Sequence, residues 1–220
     1  MASDDQPHEL DTRPQSRREW SGWLRSLVLP LGIVIAIVGG LLWYESRGSD
    51  ATSDEFGSVV LPAELNSTGR DPDADLGRAA PDFLLQTLDG ETIRLSELHG
   101  RPLLVNFWAT WCGPCRAEMP ELVLSYLEHA DAGFIVLAVN QREANARVQP
   151  FVDEFELPFP ILMDRDGEVA RTWRVGGPMQ GLPSTYFIGR DGVVRKVVYG
   201  ALTEKTLGEG LALILDEGGS

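Results

Sequence analysis

Apolar positions fall into three regimes along this chain: an unbroken apolar run near the N-terminus, a polar stretch, and then short apolar blocks from residue 81 onward. In the third regime Phe83-Leu84-Leu85 and Thr92-Ile93-Arg94-Leu95 flank Asp89-Gly90, which predicts a β-hairpin. The run Leu103-Leu104-Val105-Asn106-Phe107-Trp108 is that of a strand buried on both faces. A helix is predicted over 115–128, with Leu122, Leu124, Tyr126 and Leu127 among its apolar positions, then a second buried strand over 134–139. A helix over 144–155, a short strand over 159–162 and a short helix over 167–173 follow. Strands over 184–188 and 193–199 surround the turn at Arg190-Asp191-Gly192-Val193, and a helix over 203–215 closes the chain. The order ββ, βαβαβα, ββα predicts an α/β domain over 80–220: a central mixed sheet, flanking helices and an N-terminal hairpin. No internal repeat is present.

The first regime, residues 26–44, reads SLVLPLGIVIAIVGGLLWY without a charge. Its nineteen residues match the length that spans a bilayer core. Pro30 is tolerable in a membrane helix, and Trp20, Trp23, Trp43 and Tyr44 flank the run as interfacial aromatics do. A cleaved secretory signal would have a shorter apolar region and a small-residue cleavage site, whereas Trp43-Tyr44-Glu45 follows here, so an uncleaved anchor is favoured. Arg13, Arg17, Arg18 and Arg25 precede the span and only Arg47 closely follows it. The positive-inside rule then puts residues 1–25 in the cytoplasm and the bulk of the chain outside the inner membrane, in the periplasm or its equivalent. Arg17-Arg18 also fits a twin-arginine export signal. The polar stretch over 45–79 is rich in Ser, Gly, Asp and Pro and predicts a flexible acidic tether, with Val59-Val60-Leu61 docking locally.

Composition narrows the chemistry. The 220 residues hold one ordinary domain plus extensions. A formal net charge of −14 argues against nucleic-acid binding, because the chain would repel phosphate. The chain has only two cysteines, so there is no disulfide framework. His8, His99 and His129 do not lie at ligand spacing from them, so no metal and no bound cofactor is expected.

Those cysteines stand in Trp111-Cys112-Gly113-Pro114-Cys115, directly after the buried apolar run. A thiol at such a strand-to-helix junction meets the first unpaired N–H groups of the helix and the positive end of its dipole. Both favour thiolate, the reactive species, and the second cysteine can close a disulfide within one turn. This is the hardware of thiol–disulfide exchange. Pro120 lies within the same helix, where it removes a hydrogen bond. Glu118 follows Cys115 by three residues; on spacing it is equally a solvated acid near a helix start or a proton acceptor for the second cysteine. Gly181-Leu182-Pro183-Ser184-Thr185 precedes a strand, and Pro183 is either a loop terminator or a cis-proline facing the dithiol.

F-W-A-T-W-C-G-P-C, the proline five residues on and the later L-P-S-T-Y-F-I resemble the thioredoxin superfamily. A-P-D-F-L-L, D-G-E-T-I-R-L-S-E-L-H-G-R-P and G-R-D-G-V-V-R-K-V-V-Y-G extend this to the membrane-anchored ResA/TlpA-type thiol–disulfide oxidoreductases, which include the cytochrome c maturation thioredoxins. The similarity covers roughly residues 80–215. It implies that Cys112 is the exposed nucleophile and Cys115 the resolving thiol. Gly113 and Pro114 would tune the potential, and Trp111 would pack beside the disulfide. Pro183 would be cis, Leu182 would offer its backbone to substrate, and Glu118 would match the group's active-site glutamate. One departure stands out: cytoplasmic thioredoxins carry a buried aspartate on the strand before the motif, where this chain has Asn106.

The resemblance also implies partners. Protein disulfides would be the substrates, apocytochrome c with its CxxCH site among them, and a membrane thiol–electron transporter would supply reducing equivalents. Gly-Pro is the thioredoxin dipeptide, whose couple lies near about −270 mV, which favours a reductant. A disulfide-forming oxidase would use the same motif at a higher potential. A peroxiredoxin would need threonine where Ala109 stands. A non-catalytic anchored binding module, or a copper chaperone lacking its usual extra ligands, completes the alternatives.

Overall fold

Strand β1 (Gly57–Val59) pairs antiparallel with β2 (Asp82–Gln86), and β2 turns through Asp89-Gly90 into β3 (Thr92–Arg94), giving a three-stranded sheet. This is a computed structural model; it describes residues 56–177 and 181–216, together with 34 and 37–39, which are helical. The chain divides into two units, Met1–Ser53 and Asp54–Ser220. Segment 1–25 and, apart from those four residues, the expected span 26–44 lie outside the described residues. Among the described residues no helix is long and apolar enough to cross a membrane.

The second sheet carries the site. Its centre is β4 (Leu103–Trp108), followed by helix α1 (Gly113–Glu128), β5 (Ile135–Gln141), α2 (Asn145–Phe155), β6 (Ile161–Asp164), α3 (Glu168–Thr172), β7 (Ser184–Ile188), β8 (Val194–Tyr199) and α4 (Glu204–Leu215). Spatial order is β6-β5-β4-β7-β8. The β4–β5 and β5–β6 pairs are parallel, and β4–β7 and β7–β8 antiparallel. The sheet is therefore mixed, with helices on its faces, as the element order predicts.

All six residues of β4 are buried, and side chains alternate between two apolar cores. Leu104 and Trp108 join the core beneath α1, α2 and α4, with Met119, Leu122, Phe151, Phe187 and Leu211. Leu103, Val105 and Phe107 join the opposite core, with Phe83, Leu85, Tyr186 and Trp173. Fully buried Trp173 lies 5.9 Å from the Phe83 ring, 5.6 Å from Phe107 and 4.9 Å from Tyr186, and the Tyr186 hydroxyl donates to the Trp173 carbonyl at 2.6 Å. Parity on β4 puts Asn106 with Leu104 and Trp108, on the α1 side.

Helix α4 begins at a capping box: Thr203 Oγ1 accepts from the Thr206 N–H at 3.2 Å, and the Thr203 N–H donates to Thr206 Oγ1 at 2.9 Å. Gly210 lets α4 approach β7, since a Cβ there would strike the Phe187 ring.

Three expectations need correction. The segment expected as tether over 45–79 is built into the fold from residue 56: Ser58 and Val59 pair with Phe83 and Asp82, and Ala74 and Ala79 are buried. Small alanines do this burying, and two of the acids are held by Arg174, which pairs with Asp73 and Asp75. That is why composition resembled a linker. Helix α1 starts at Gly113 rather than Cys115, and its Leu124 and Leu127 are exposed, so only part of its apolar content serves the core. The strand expected over 159–162 pairs over Ile161–Asp164, because Phe159 is buried before the ladder begins.

Candidate active site

At the end of β4 the chain turns through buried Ala109, and the Cys112 N–H donates to the Ala109 carbonyl at 3.2 Å. The turn is held from outside by Glu143. Its carboxylate accepts from the Thr110 N–H at 2.7 Å, the Thr110 hydroxyl at 2.6 Å and the Asn140 amide at 2.9 Å. Cys112 is the N-cap of α1, and its Sγ accepts the Cys115 N–H at 3.2 Å. Pro114 sits in the first turn, where its missing N–H leaves no intrahelical bond unmade.

The two cysteines form a disulfide with a Cα–Cα distance of 5.2 Å. Cys112, expected to be exposed, is only 4% accessible, and Cys115 is fully covered at 0%. Cys112 is therefore buried too, and what survives of that expectation is the asymmetry. The exposed member of the motif is Trp111, at 69%.

Glu118 resolves the ambiguity of its spacing, for it is buried. Its Oε1 accepts from the Asn106 amide at 2.9 Å and its Oε2 from the Leu202 N–H at 2.8 Å. Asn106 also donates to Thr185 Oγ1 at 3.0 Å, across the β4–β7 register that places these residues opposite one another. Burial pushes the Glu118 carboxyl up from its ordinary 4.5 to about 7, and the two donors from Leu202 and Asn106 only partly offset it. The position that resembled a buried aspartate thus holds a neutral amide, and the titrating group is its neighbour across the sheet–helix interface.

The Leu182–Pro183 peptide bond is cis, and the Pro183 carbonyl accepts from the Gly200 N–H at 2.9 Å. Leu182 and Trp111 both line a cleft of about 960 Å³ beside the motif, together with Arg142, Arg171, Arg174 and Tyr199. Among the described residues no group of three or more His, Cys, Asp or Glu could hold a metal ion.

Sequence reasoning located Trp111, Cys112, Gly113, Pro114, Cys115, Glu118, Leu182 and Pro183. It missed Glu143, Asn140 and Thr185. Thr185 could have been found by counting two residues from Pro183 along the strand, which returns the side chain to the same face. Glu143 carried no comparable signal, since only the fold brings it to Thr110.

A mixed sheet flanked by helices, with a CxxC disulfide at the start of α1 and a cis-proline before β7, defines a thioredoxin-like redox domain. A family profile described as AhpC/TSA family matches residues 76–197, more than half of the chain, and the chain belongs to that family. The thiol–disulfide oxidoreductase ResA of Oceanobacillus iheyensis is 42% identical over 132 residues, covering 58% of this chain and 67% of the relative. ResA of Bacillus subtilis is 36% identical over 138 residues, covering 63% and 75%. Among solved structures, a thioredoxin-family thiol:disulfide interchange protein from Chlorobium tepidum has a TM-score of 0.57 at 27% identity, covering 64% of this chain and 98% of the other. StoA from Bacillus subtilis gives 0.50 at 28%, covering 59% and 95%. The protein is a thiol–disulfide oxidoreductase of the ResA type.

Proposed function

We propose that the protein is a membrane-anchored reductase of protein disulfides outside the cytoplasmic membrane, with residues 26–44 as anchor and 1–25 in the cytoplasm. The observation that carries the redox part is the pairing of a slightly accessible Cys112 at a helix N-cap with a fully covered Cys115 one turn from buried Glu118. In the reduced protein the Cys112 thiolate attacks one sulfur of a client disulfide. A mixed disulfide forms, and the client's other sulfur leaves as thiolate. Glu118, as carboxylate, accepts the proton of Cys115. The Cys115 thiolate then attacks Cys112 Sγ, releasing the second client thiolate and closing Cys112–Cys115. Two electrons pass to the client, and the protein is left oxidised. A membrane thiol–electron transporter returns them. Trp111 packs beside the exchanging sulfurs, and Leu182, ahead of Pro183, offers backbone to an extended client segment.

The anchor rests on nineteen uncharged residues, and the orientation on arginines concentrated before them. The apocytochrome c CxxCH site is the proposed client, supported by similarity to proteins named ResA. An oxidase would run the same steps in reverse, so the couple itself is the test. Equilibrating the full-length protein in graded thiol buffers should give a potential below roughly −220 mV; a value near about −120 mV overturns the reductase reading. Cys112→Ser should abolish turnover, and Cys115→Ser should accumulate mixed disulfides with clients on non-reducing gels. If no client is captured, the exchange mechanism fails.

A further inference from the structure

The cleft beside the disulfide is lined by three arginines, in a chain whose formal net charge is −14. Arg174 is already neutralised by Asp73 and by Asp75, and Asp75 is the one acid that lines the cleft. Arg142 and Arg171 differ, because neither forms a salt bridge among the described residues. Both are held in place by the turn between β6 and α3. Arg171 Nη1 donates to the Asp166 carbonyl at 2.9 Å. The Arg142 backbone N–H donates to the Asp164 carbonyl at 3.0 Å, and its guanidinium lies across Gly167, so closely that a Cβ at that position would collide with it. Gly167 has φ +67°, which independently favours glycine there. Arg142 itself adopts φ +54°, a conformation uncommon for a side-chain-bearing residue. Two guanidinium groups thus line the cleft together with exposed Trp111, the residue next to Cys112, and half-buried Leu182, the residue before the cis-proline.

We propose that this cleft selects clients whose disulfide is flanked by aspartate or glutamate, the acidic side chains pairing with Arg142 and Arg171 while Trp111 and Leu182 take the adjoining apolar residues. This rests on the reductase reading and names the class of peptide that site accepts. Charge complementarity singles out the occupant. The bulk of the surface repels acids, but at physiological salt that repulsion is screened beyond about 8 Å, whereas pairs inside the cleft are made at contact. Guanidinium groups suit carboxylates because their fork of donors matches two oxygens.

The test uses full-length protein in detergent and three disulfide peptides of one length, flanked by glutamate, by glutamine or by lysine. The glutamate peptide should exceed the lysine peptide in kcat/KM by roughly three- to tenfold, the scale of two surface ion pairs, and the ratio should shrink as salt is raised. In the Arg142→Glu/Arg171→Glu variant the ratio should invert, and in Arg142→Gln/Arg171→Gln it should approach one. Ratios within one preparation are insensitive to its folded fraction. Equal rates, a lysine preference in the native protein, or a ratio unmoved by either variant overturns the proposal. If no peptide is reduced, the reductase reading fails instead, and the cleft is judged on binding of the same peptides with serine for cysteine. Tighter binding of the glutamate peptide, lost in the charge-reversed variant, supports it, and equal binding overturns it.

Discussion

Glu118 is a carboxyl group whose charge the fold resists. Because its value in the folded chain is raised from 4.5 to about 7, the neutral form is favoured by folding. Its contribution to stability is complete below pH 4.5 and is lost as pH rises through about 7, a change of roughly 3 kcal/mol. We expect Glu118→Gln to remove that slope: the unfolding free energy of native minus variant protein, measured by denaturant titration from pH 4 to 8, should fall across this window. A flat difference would remove the titrating role. Turnover should move oppositely. In the mechanism proposed above the resolving step uses the carboxylate, so kcat should rise through pH 7 in the native protein and lose that inflection in the variant. Asn106 Oδ1 is buried with no hydrogen-bond partner among the described residues. An amide flip would present it to the proton of neutral Glu118, so the same pair can serve either charge state. The motif made Cys112, Cys115 and Pro183 legible in the sequence, because their chemistry is written in local spacing. The burial of Glu118 was not legible, since it depends on Asn106 and on Leu202, 84 residues away.

At the level of elements, buried Trp173 ties β2, β4 and β7 together through three ring contacts. Trp173→Ala should lose about 3–5 kcal/mol by chemical denaturation, since it removes ring contacts with Phe83, Phe107 and Tyr186 and leaves a cavity. The short strand β1 carries a separate expectation. A chain beginning at residue 80 leaves the edge of β2 unpaired, and should melt roughly 5 °C or more below one beginning at residue 54. Equal melting temperatures would mean that β1 is dispensable. Hairpins were readable because Asp89-Gly90 and Asp191-Gly192 mark their turns, and buried strands because their apolar runs are nearly continuous. Strand β1 was not, since three residues Gly57-Ser58-Val59 are too few to show a period and owe their pairing to β2. Leu124 and Leu127 misled in the other direction: helical spacing alone does not tell which apolar residues a sheet will cover.

For the whole molecule, the proposed anchor makes a direct prediction. The full-length chain should sediment with membranes and resist alkaline extraction, while a chain of residues 54–220 should remain in the supernatant. Extraction of the full-length chain would leave 26–44 as something other than a span. Length allowed for one ordinary domain plus extensions, but charge totals concealed the arginines gathered in the cleft that Trp111 lines, because a sum over 220 residues carries no position.

The Leu202 N–H that holds Glu118 has a consequence for the order in which the protein becomes competent. If the chain is made and exported from its N-terminus, the cysteines emerge about ninety residues before the backbone that completes the acid's surroundings. A nascent chain therefore carries its thiols well before it carries a tuned proton acceptor. In the proposed mechanism the resolving step would then switch on with the last turn into α4, and a partly emerged domain would be open to capture by a disulfide but poorly equipped to let it go.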